Sequence, residues 1–463
     1  MGRIAVLDPT APPPDDDVGP GPDVDRLTGR LVGIRYDRTW RSFEWVIDEW
    51  ARSLEAEGAR VRLWCAGNRI GDEGVATRAA PGCGSTCSRI RWRRDRKTRY
   101  EALPDSTIDH SCGPSGCQLE WLTSRRIEVD EDVVAFTRLA TDAGWGDGLP
   151  LVPPREELVR GHVIASGRFP DQLLGTLPPR AGRCTVEKLA VNAVMAGAAP
   201  AAMPLLCAAI EAMSAPEHNL FALNTTTSCV VPGMFVNGPG RHELKIPYGP
   251  GCFGGEAGPA PAIGRATRLT MRNVAGQVVG VSSKSVFGQP GRVTGVVVAE
   301  WEERSPWAPL AARRGVPGNA VTVHGVTGTI DVADITATSG PELLQVIGSS
   351  LAFPGTNAFI GAHHGAEVLV AIAPPWVDLI ARDVPDLAEV QQLLWEHAAL
   401  PATAWPEAHR RRAEENGRID ARGLVHLLEG PEHLLVLVCG GLGNLHALAC
   451  HSFGPTRAVT RAF

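Results

Sequence analysis

The chain has 463 residues, of which 44% are hydrophobic and 21% charged, so its composition is that of a globular protein and not of a disordered or fibrous one. Its length is about three times that of a typical domain, which predicts two domains and a sizeable core. The formal net charge of -6 argues against a general nucleic-acid binder, because neutralising phosphates requires a basic surface.

The first segment of the chain predicts a flexible arm. Residues 1–29 are rich in Pro, Gly and Asp, a composition that buries too little apolar surface to become ordered alone. The sequence shows no signal-peptide pattern and no apolar run long enough to cross a membrane, so we expect a cytoplasmic protein without a membrane partner. In that reducing compartment, the eleven cysteines are expected to be mostly thiols.

A βαβ unit follows the arm and sets the predicted fold class. Residues 31–37 have the pattern of a buried strand, 42–58 that of an amphipathic helix, and 59–67 that of a second strand. The sequence therefore predicts an α/β protein whose residues 30–127 contain a βαβ, flavodoxin-like half. No glycine-rich fingerprint follows the first strand, so dinucleotide binding is not supported.

A second, larger mixed α/β domain is predicted for residues 128–463. A new helical pattern begins at 131–144, and two Ala-rich helices are expected at 185–197 and 201–214. The predicted strands of this domain are 293–301, 320–326, 367–373 and 434–441.

Two close cysteine pairs occupy an irregular Gly- and Arg-rich stretch between these domains. They are Cys83 with Cys87, and Cys112 with Cys117. Four thiolates at such spacing are compatible with a structural zinc site that would order the stretch. A redox-active or nucleophilic pair and simple thiols in glycine turns are the alternatives. We predict that all four cysteines lie in one small neighbourhood.

Cys252 is the candidate nucleophile. It stands in the sequence PYGPGCFGGEAG, just before a predicted Ala-rich helix. Glycines such as Gly254 and Gly255 allow backbone N–H groups to approach a ligand, and a helix N-terminus lowers the pKa of a thiol. The pattern thus predicts a reactive thiolate with a substrate beside it. A close-packed turn around an inert buried cysteine is the alternative.

Charged and polar residues elsewhere are candidates for the same pocket. The chain has only four lysines against 41 arginines, and a lysine kept in that background suggests a compact charge with an adjustable pKa. Glu187 and Lys188 share a predicted helix with Asn192, four residues from Lys188 and on the same face. Lys284 lies in a Gly and Ser setting that suits an anionic ligand. Asn237 ends an apolar strand and is a candidate pocket residue.

The N-terminal third resembles the UGSC-like (seleno)protein family. The shared sequences are VLDPTAPPP and the stretch from LTGRLVGIRYDRTW to GNRIGDEGVATR, followed by a glycine and cysteine segment. The resemblance implies a redox-active pair, since the family is named for a Sec/Cys-Gly-Ser-Cys motif, whereas this chain has Cys83-Gly-Ser-Thr-Cys87. Stretches such as WGDGLPLVPP, TVEKLAVNAVMAG and GCFGGEAGPAPAIGRA are similar to an uncharacterised bacterial family associated with it.

These observations favour a cysteine-dependent enzyme acting on a small, anionic organic molecule at the domain interface. Cys252 supplies the thiolate, while Lys188, Glu187 and Lys284 transfer protons or stabilise charge. We expect a reaction that makes or breaks a carbon–sulfur bond, or transfers sulfur. The alternatives are a metal-thiolate enzyme using zinc, iron or copper, and a non-catalytic metal or sulfur carrier. The Pro-rich arm and Ala-rich helices predict a homodimer or larger assembly.

Overall fold

A computed structural model describes most of the chain. The described residues are 2–11, 28–29, 31–36, 41–65, 121–256, 258–359, 366–443, 446–454 and 456–463. The chain divides into two compact units, one formed by residues 1–14 and 119–463 and the other by residues 15–118. The protein is an α/β protein, as the sequence predicts.

The smaller unit contains the predicted βαβ element. Strands β2 (Leu31–Tyr36) and β3 (Arg60–Cys65) pair in parallel, and helix α1 (Arg41–Ala56) connects them. Two consecutive strands that pair in parallel need such a crossover, because a tight turn would leave the second strand antiparallel to the first. The flavodoxin-like assignment stays a prediction, because residues 66–120 lie outside the described part of the chain.

The larger unit carries the remaining helices and strands that the structure describes. Its helices are α2 (Val133–Asp142), α3 (Glu156–Ala165), α4 (Val186–Ala196), α5 (Met203–Met213), α6 (Leu220–Thr225), α7 (Gly240–Glu243), α8 (Ala260–Asn273), α9 (Gly291–Thr294), α10 (Leu310–Arg313), α11 (Gly340–Leu351), α12 (Pro374–Asp383), α13 (Leu387–His397) and α14 (Glu407–Glu415). Its strands are β1 (Arg3–Leu7), β4 (Arg126–Asp130), β5 (Leu173–Leu177), β6 (Gly182–Thr185), β7 (Val231–Asn237), β8 (Val296–Ala299), β9 (Ala320–Val326), β10 (Thr329–Ala333), β11 (Val368–Ile372), β12 (Ala399–Pro401), β13 (Leu424–His426), β14 (Leu434–Val438), β15 (His446–His451) and β16 (Val459–Ala462).

The first strand differs from the predicted flexible arm. β1 pairs antiparallel with β4, from Arg3 opposite Asp130 to Leu7 opposite Arg126. Val6 and Leu7 are almost completely buried, so the start of the arm contributes to the core of the larger unit. The larger unit also resumes at residue 119, before the boundary that we placed near residue 128.

Two four-stranded sheets form the centre of the larger unit. Their strand orders are β16-β9-β7-β8 and β10-β15-β11-β14. Successive side chains of a strand point to opposite faces. Accordingly, Phe235 and Val298 of the first sheet share one buried cluster with Leu369 and Leu437 of the second. The two sheets therefore pack face to face.

The outer face of each sheet is covered by helices. On the first sheet, Met234 and Val236 belong to a core that includes the apolar residues of α4, α5 and α8. On the second, Val370 and Val436 belong to a separate core with α11, α12 and α13. The order of layers is helix, sheet, sheet, helix. Both faces of each sheet are buried, which explains the nearly continuous apolar runs of β7, β11 and β14.

The parallel strand pairs of the two sheets end close together. β7 runs parallel to β8, and β11 runs parallel to β14. The Trp301 backbone N–H, just after β8, donates to the Val438 carbonyl at the end of β14, with an N···O distance of 2.7 Å. This bond joins the carboxyl edges of the two sheets, the edge at which α/β proteins commonly bind ligands.

Helix α8 packs against α9 so closely that only glycine fits at the contact. A Cβ atom added at Gly264 would collide with the Thr294 carbonyl oxygen and lie 3.0 Å from the Gly295 Cα atom. We predict that Gly264→Ala lowers the free energy of unfolding by at least about 2 kcal/mol in urea denaturation, since backbone cannot move aside cheaply.

Gly161→Ala is the matched control for this prediction. Gly161 lies within α3, and no atom stands within 4 Å of an added Cβ. The alanine is expected to raise the free energy of unfolding by about 0.5–1 kcal/mol through its better helix propensity. A Gly264→Ala protein as stable as the wild type would show that the helices are free to separate.

Candidate active site

Cys252 lies in a glycine loop whose backbone only glycine adopts easily. Gly251, Gly254 and Gly255 have φ angles of 73°, 146° and 108°. Gly254 and Gly255 are exposed, whereas Cys252 is 6% exposed. The backbone angles explain why glycines stand in this turn, and the Cys252 thiol lies just beneath the surface of the loop. The predicted approach of a ligand to Gly254 and Gly255 stays a prediction.

A second thiol, Cys439, lies in the same buried cluster as Cys252. Cys439 directly follows β14, and a hydrogen bond between the two thiols affects both of their pKa values. This bond is the largest cause that lowers the pKa of Cys252, and the backbone N–H groups of Gly440 and Phe253 add to it against the opposing effect of burial. The pKa of Cys439 is raised by the same bond, by burial and by the nearby Glu300 carboxylate. The interaction therefore shifts the two pKa values in opposite directions, so Cys252 is the thiol of the pair that ionises first.

The source of thiolate stabilisation differs from the expected one. Helix α8 begins only at Ala260, and the described residues between Cys252 and that helix form turns. The groups that stabilise the sulfur anion are instead the Cys439 thiol and local backbone N–H groups. Backbone N–H groups converging from a turn act as an anion site in the same way as a helix N-terminus.

Glu300 and Asn237 stand at the ends of parallel strands beside this pair. The Glu300 Oε2 atom accepts hydrogen bonds from Asn237 Nδ2 at 2.7 Å and from the Leu310 backbone N–H at 2.8 Å. Asn237 Oδ1 in turn accepts from the Ala311 N–H at 3.2 Å. Burial raises the pKa of Glu300. A buried carboxyl of this kind next to a thiol is a candidate proton acceptor.

Aromatic side chains surround the pair. Phe253, next to Cys252, lies 6.3 Å from Phe235 between ring centroids. Tyr248 packs against Trp301 at 5.3 Å, and its carbonyl accepts the Gly440 N–H at 2.8 Å. These contacts restrict the access of water to the sulfur atoms, which strengthens their electrostatic interactions.

Comparisons with known proteins were made for the whole chain. No protein-family model and no curated protein matches it. The site is therefore interpreted from its own residues. No helix within the described residues is both long and apolar enough to span a membrane.

The side chains of Glu187 and Lys188 form hydrogen bonds with backbone groups outside the Cys252 loop. The Glu187 carboxylate accepts from the Thr123 and Ser124 N–H groups at 3.1 and 2.8 Å. Lys188 Nζ donates to the Asp8 carbonyl at 2.7 Å, and burial lowers its pKa. These bonds hold the N-terminal strand and the segment before β4 against α4. Within the described part of the chain, none of these side-chain hydrogen bonds reaches Cys252, so the catalytic role of Glu187 and Lys188 stays a prediction.

The two remaining candidates have other surroundings. Asn192 is buried and donates to the Pro9 carbonyl at 3.2 Å, while its Oδ1 accepts from Asn273 at 2.7 Å. Lys284 is exposed, and its backbone N–H donates to the Thr225 carbonyl at 3.3 Å. Asn237 thus binds Glu300, and Gly254 and Gly255 lie in the same loop as Cys252, whereas Asn192 and Lys284 have different neighbours.

The predicted metal site falls outside the described part of the chain. Cys83, Cys87, Cys112 and Cys117 all lie within residues 66–120. Among the residues that the structure describes, no group of three or more His, Cys, Asp and Glu side chains is arranged to hold a metal ion. The zinc prediction for these four cysteines therefore stays a prediction.

Sequence reasoning missed Cys439 and Glu300 as site residues. Each directly follows a buried strand, and Cys439 also precedes Gly440 and Gly441. Polar residues at the carboxyl ends of parallel strands are a recognised sign of a ligand site. What the sequence did not contain is the pairing of β7 with β8 and of β11 with β14, which brings these ends together.

Replacement of Cys439 tests the thiol pair. In Cys439→Ala, the Cys252 thiolate loses its main hydrogen-bond donor, so the pKa of Cys252 rises and its alkylation requires a higher pH. We expect the iodoacetamide rate at neutral pH to fall several-fold, measured at the Cys252 peptide by mass spectrometry. Cys439→Ser keeps a donor and should retain most of the rate. Equal pH profiles for the alanine variant and the wild type would contradict the hydrogen bond.

Lys188→Ala tests whether this lysine acts on Cys252. We expect the alkylation rate of Cys252 to be unchanged, since the contacts of Lys188 are with Asp8 and its own helix. The free energy of unfolding should fall by about 1–3 kcal/mol, because a charged hydrogen bond to a buried carbonyl is lost. A large change in the alkylation rate with unchanged stability would place Lys188 in the Cys252 site instead.

Proposed function

We propose that this chain is a cysteine-dependent enzyme in which the thiolate of Cys252 attacks a small, anionic organic substrate. The observation that carries the proposal is that Cys252 and Cys439 lie in one buried cluster, where the backbone bond from Gly440 to Tyr248 holds the glycine loop against the end of β14 and Cys439 lowers the pKa of Cys252. The thiolate is the nucleophilic form of cysteine, and hydrogen bonds to sulfur raise its population at neutral pH.

The glycine loop supports the proposed substrate class. A backbone N–H that lowers the pKa of Cys252, such as that of Phe253, also favours negative charge on a bound molecule or on a developing anion. Gly254 and Gly255 carry no side chains and are exposed, so they leave room for a ligand to approach the sulfur. The aromatic rings of Phe253 and Phe235 supply an apolar wall on the inner side.

The proposed reaction makes or breaks a carbon–sulfur bond, or transfers sulfur. The Cys252 sulfur forms a bond to the electrophilic atom of the substrate, and the bond from that atom to the leaving group breaks. The leaving group takes the electron pair, together with the proton of the Cys439 thiol. Cys439 is then left without its proton, and the nearby Glu300 carboxyl, whose pKa is raised by burial, is the candidate group to return one to it.

We also propose that residues 30–127 form a UGSC-like domain, on the resemblance of their opening stretches and on the parallel βαβ order of β2, α1 and β3. Determination of the redox state of Cys83 and Cys87 in protein from its own host tests the implied redox-active pair. An oxidised pair that thiols reduce would support it, whereas permanently reduced cysteines would contradict it.

Cys252→Ser tests the proposed enzyme. At about pH 7, wild-type Cys252 should react with iodoacetamide faster than free cysteine does. Supplied with a panel of small anions containing carbon–sulfur and sulfur–sulfur bonds, the wild type should release thiol or sulfide, and Cys252→Ser should release none.

Cys207→Ala is the matched control for this test. Cys207 is a buried thiol in α5, and burial raises its pKa to about 12, so its loss should leave the activity unchanged. A Cys252→Ser protein with wild-type turnover, or a Cys252 that reacts no faster than free cysteine, would refute the proposed function.

A further inference from the structure

We infer that Cys439 is the resolving thiol for Cys252, and that the electrophile this site accepts is a sulfur atom of a sulfur–sulfur bond. The inference deepens the proposed function and rests on it. It assigns to Cys439 a covalent role, in addition to the donation of a proton, and it narrows the substrate class from carbon–sulfur compounds to small anionic disulfides and sulfane-sulfur compounds.

The backbone fixes the two thiols next to each other. The Cys439 N–H donates to the Ile372 carbonyl at 3.2 Å, which continues the pairing of β14 with β11 beyond its last residue. The Gly440 N–H donates to the Tyr248 carbonyl, and a Cβ at Gly441 would lie 3.4 Å from Pro250. The residues just before Cys252 are thus held against the residues just after Cys439, and the two cysteines lie in one buried cluster.

A second thiol in this position has a use only for some substrates. If Cys252 attacked carbon, the product would be a thioether or a thioester, and Cys439 could form a bond to the Cys252 sulfur only by expelling a carbon anion, which is a poor leaving group. If Cys252 attacks sulfur, the product is a mixed disulfide or persulfide, whose outer sulfur is a good leaving group. A contacting thiol therefore favours sulfur as the electrophilic atom.

The proposed sequence balances atoms and electrons. The Cys252 thiolate attacks one sulfur of a substrate disulfide, forms a mixed disulfide and releases the other half as a thiolate. Cys439 gives its proton to the released thiolate or to Glu300, then attacks the Cys252 sulfur and expels the second half. The substrate gains two electrons and becomes two thiols, while the protein pair becomes a disulfide. A low-molecular-weight thiol or a dithiol protein must then reduce the pair.

Cys450 provides a comparison thiol within the same buried cluster. Cys450 of β15 pairs with Leu369 of β11, and Leu369 pairs on its other side with Leu435 of β14. Cys450 is therefore level with Leu435, four residues before Cys439, and strand β11 lies between β15 and β14. No hydrogen bond connects it to Cys252 among the described contacts. It resembles Cys439 in burial but is not placed to resolve an adduct on Cys252.

The test uses an anionic aromatic disulfide, 5,5′-dithiobis(2-nitrobenzoate), with peptide mapping after the reaction. The wild type and Cys450→Ala should yield the cross-linked Cys252 and Cys439 peptides with no nitrobenzoate left on Cys252. Cys439→Ser, which keeps a hydrogen-bond donor, should retain the mixed disulfide on Cys252. Release of the second nitrobenzoate from that residue should slow by at least about tenfold.

The outcomes separate this inference from the proposed function. A wild-type protein that retains nitrobenzoate on Cys252 would overturn the resolving role, as would a Cys439→Ser protein that loses it at the wild-type rate. In both cases Cys252 has still reacted, so the proposed nucleophile stands. A Cys252 that fails to react in every variant, with iodoacetamide as well as with the disulfide, would refute the nucleophile itself.

Discussion

The packing of two sheets face to face is the constraint on which the larger unit depends. The central strands supply apolar side chains to both of their faces, because helices cover the outer face and the other sheet covers the inner one. Some buried polar groups, such as Thr322 and His324, lie within β9, and others stand where strands end. Asn237, Glu300 and Cys439 all stand at such ends, and the Trp301 to Val438 backbone bond holds those ends together.

The thiol pair follows from this arrangement. A lone thiol buried among Phe235, Val298 and Leu437 would be protonated and inert, as burial makes Cys450, whose pKa it raises to about 12. The pKa of Cys252 is lowered instead, first by the hydrogen bond with Cys439 and then by nearby backbone groups, which together oppose the effect of burial. The interaction thus lowers the pKa of Cys252 and raises that of Cys439. Two thiols that take part in disulfide exchange or proton transfer require such a difference in pKa.

The sequence predicted the local elements of the fold better than the site. Apolar periodicity correctly indicated α4 and α5 and the strands β9, β11 and β14 to within a few residues. It predicted a single strand at 293–301, where α9 precedes a shorter β8, because the sharp turn at Gly295 has no apolar signature. Periodicity also cannot say which strands are neighbours. Cys252 and Cys439 are 187 residues apart in the sequence, so no local pattern indicated that they lie together.

The same limit explains why Lys188 and Glu187 attracted attention in the sequence. A lysine and a glutamate inside an apolar helix require partners, and burial leaves only two kinds: a ligand or the protein's own backbone. The structure supplies backbone partners, the Asp8 carbonyl for Lys188 and the Thr123 and Ser124 N–H groups for Glu187. A buried charge therefore identifies a place where the side chain binds the protein's own backbone. Cys252 and Cys439 differ from this case, because they are two ionisable groups whose interaction shifts their pKa values in opposite directions.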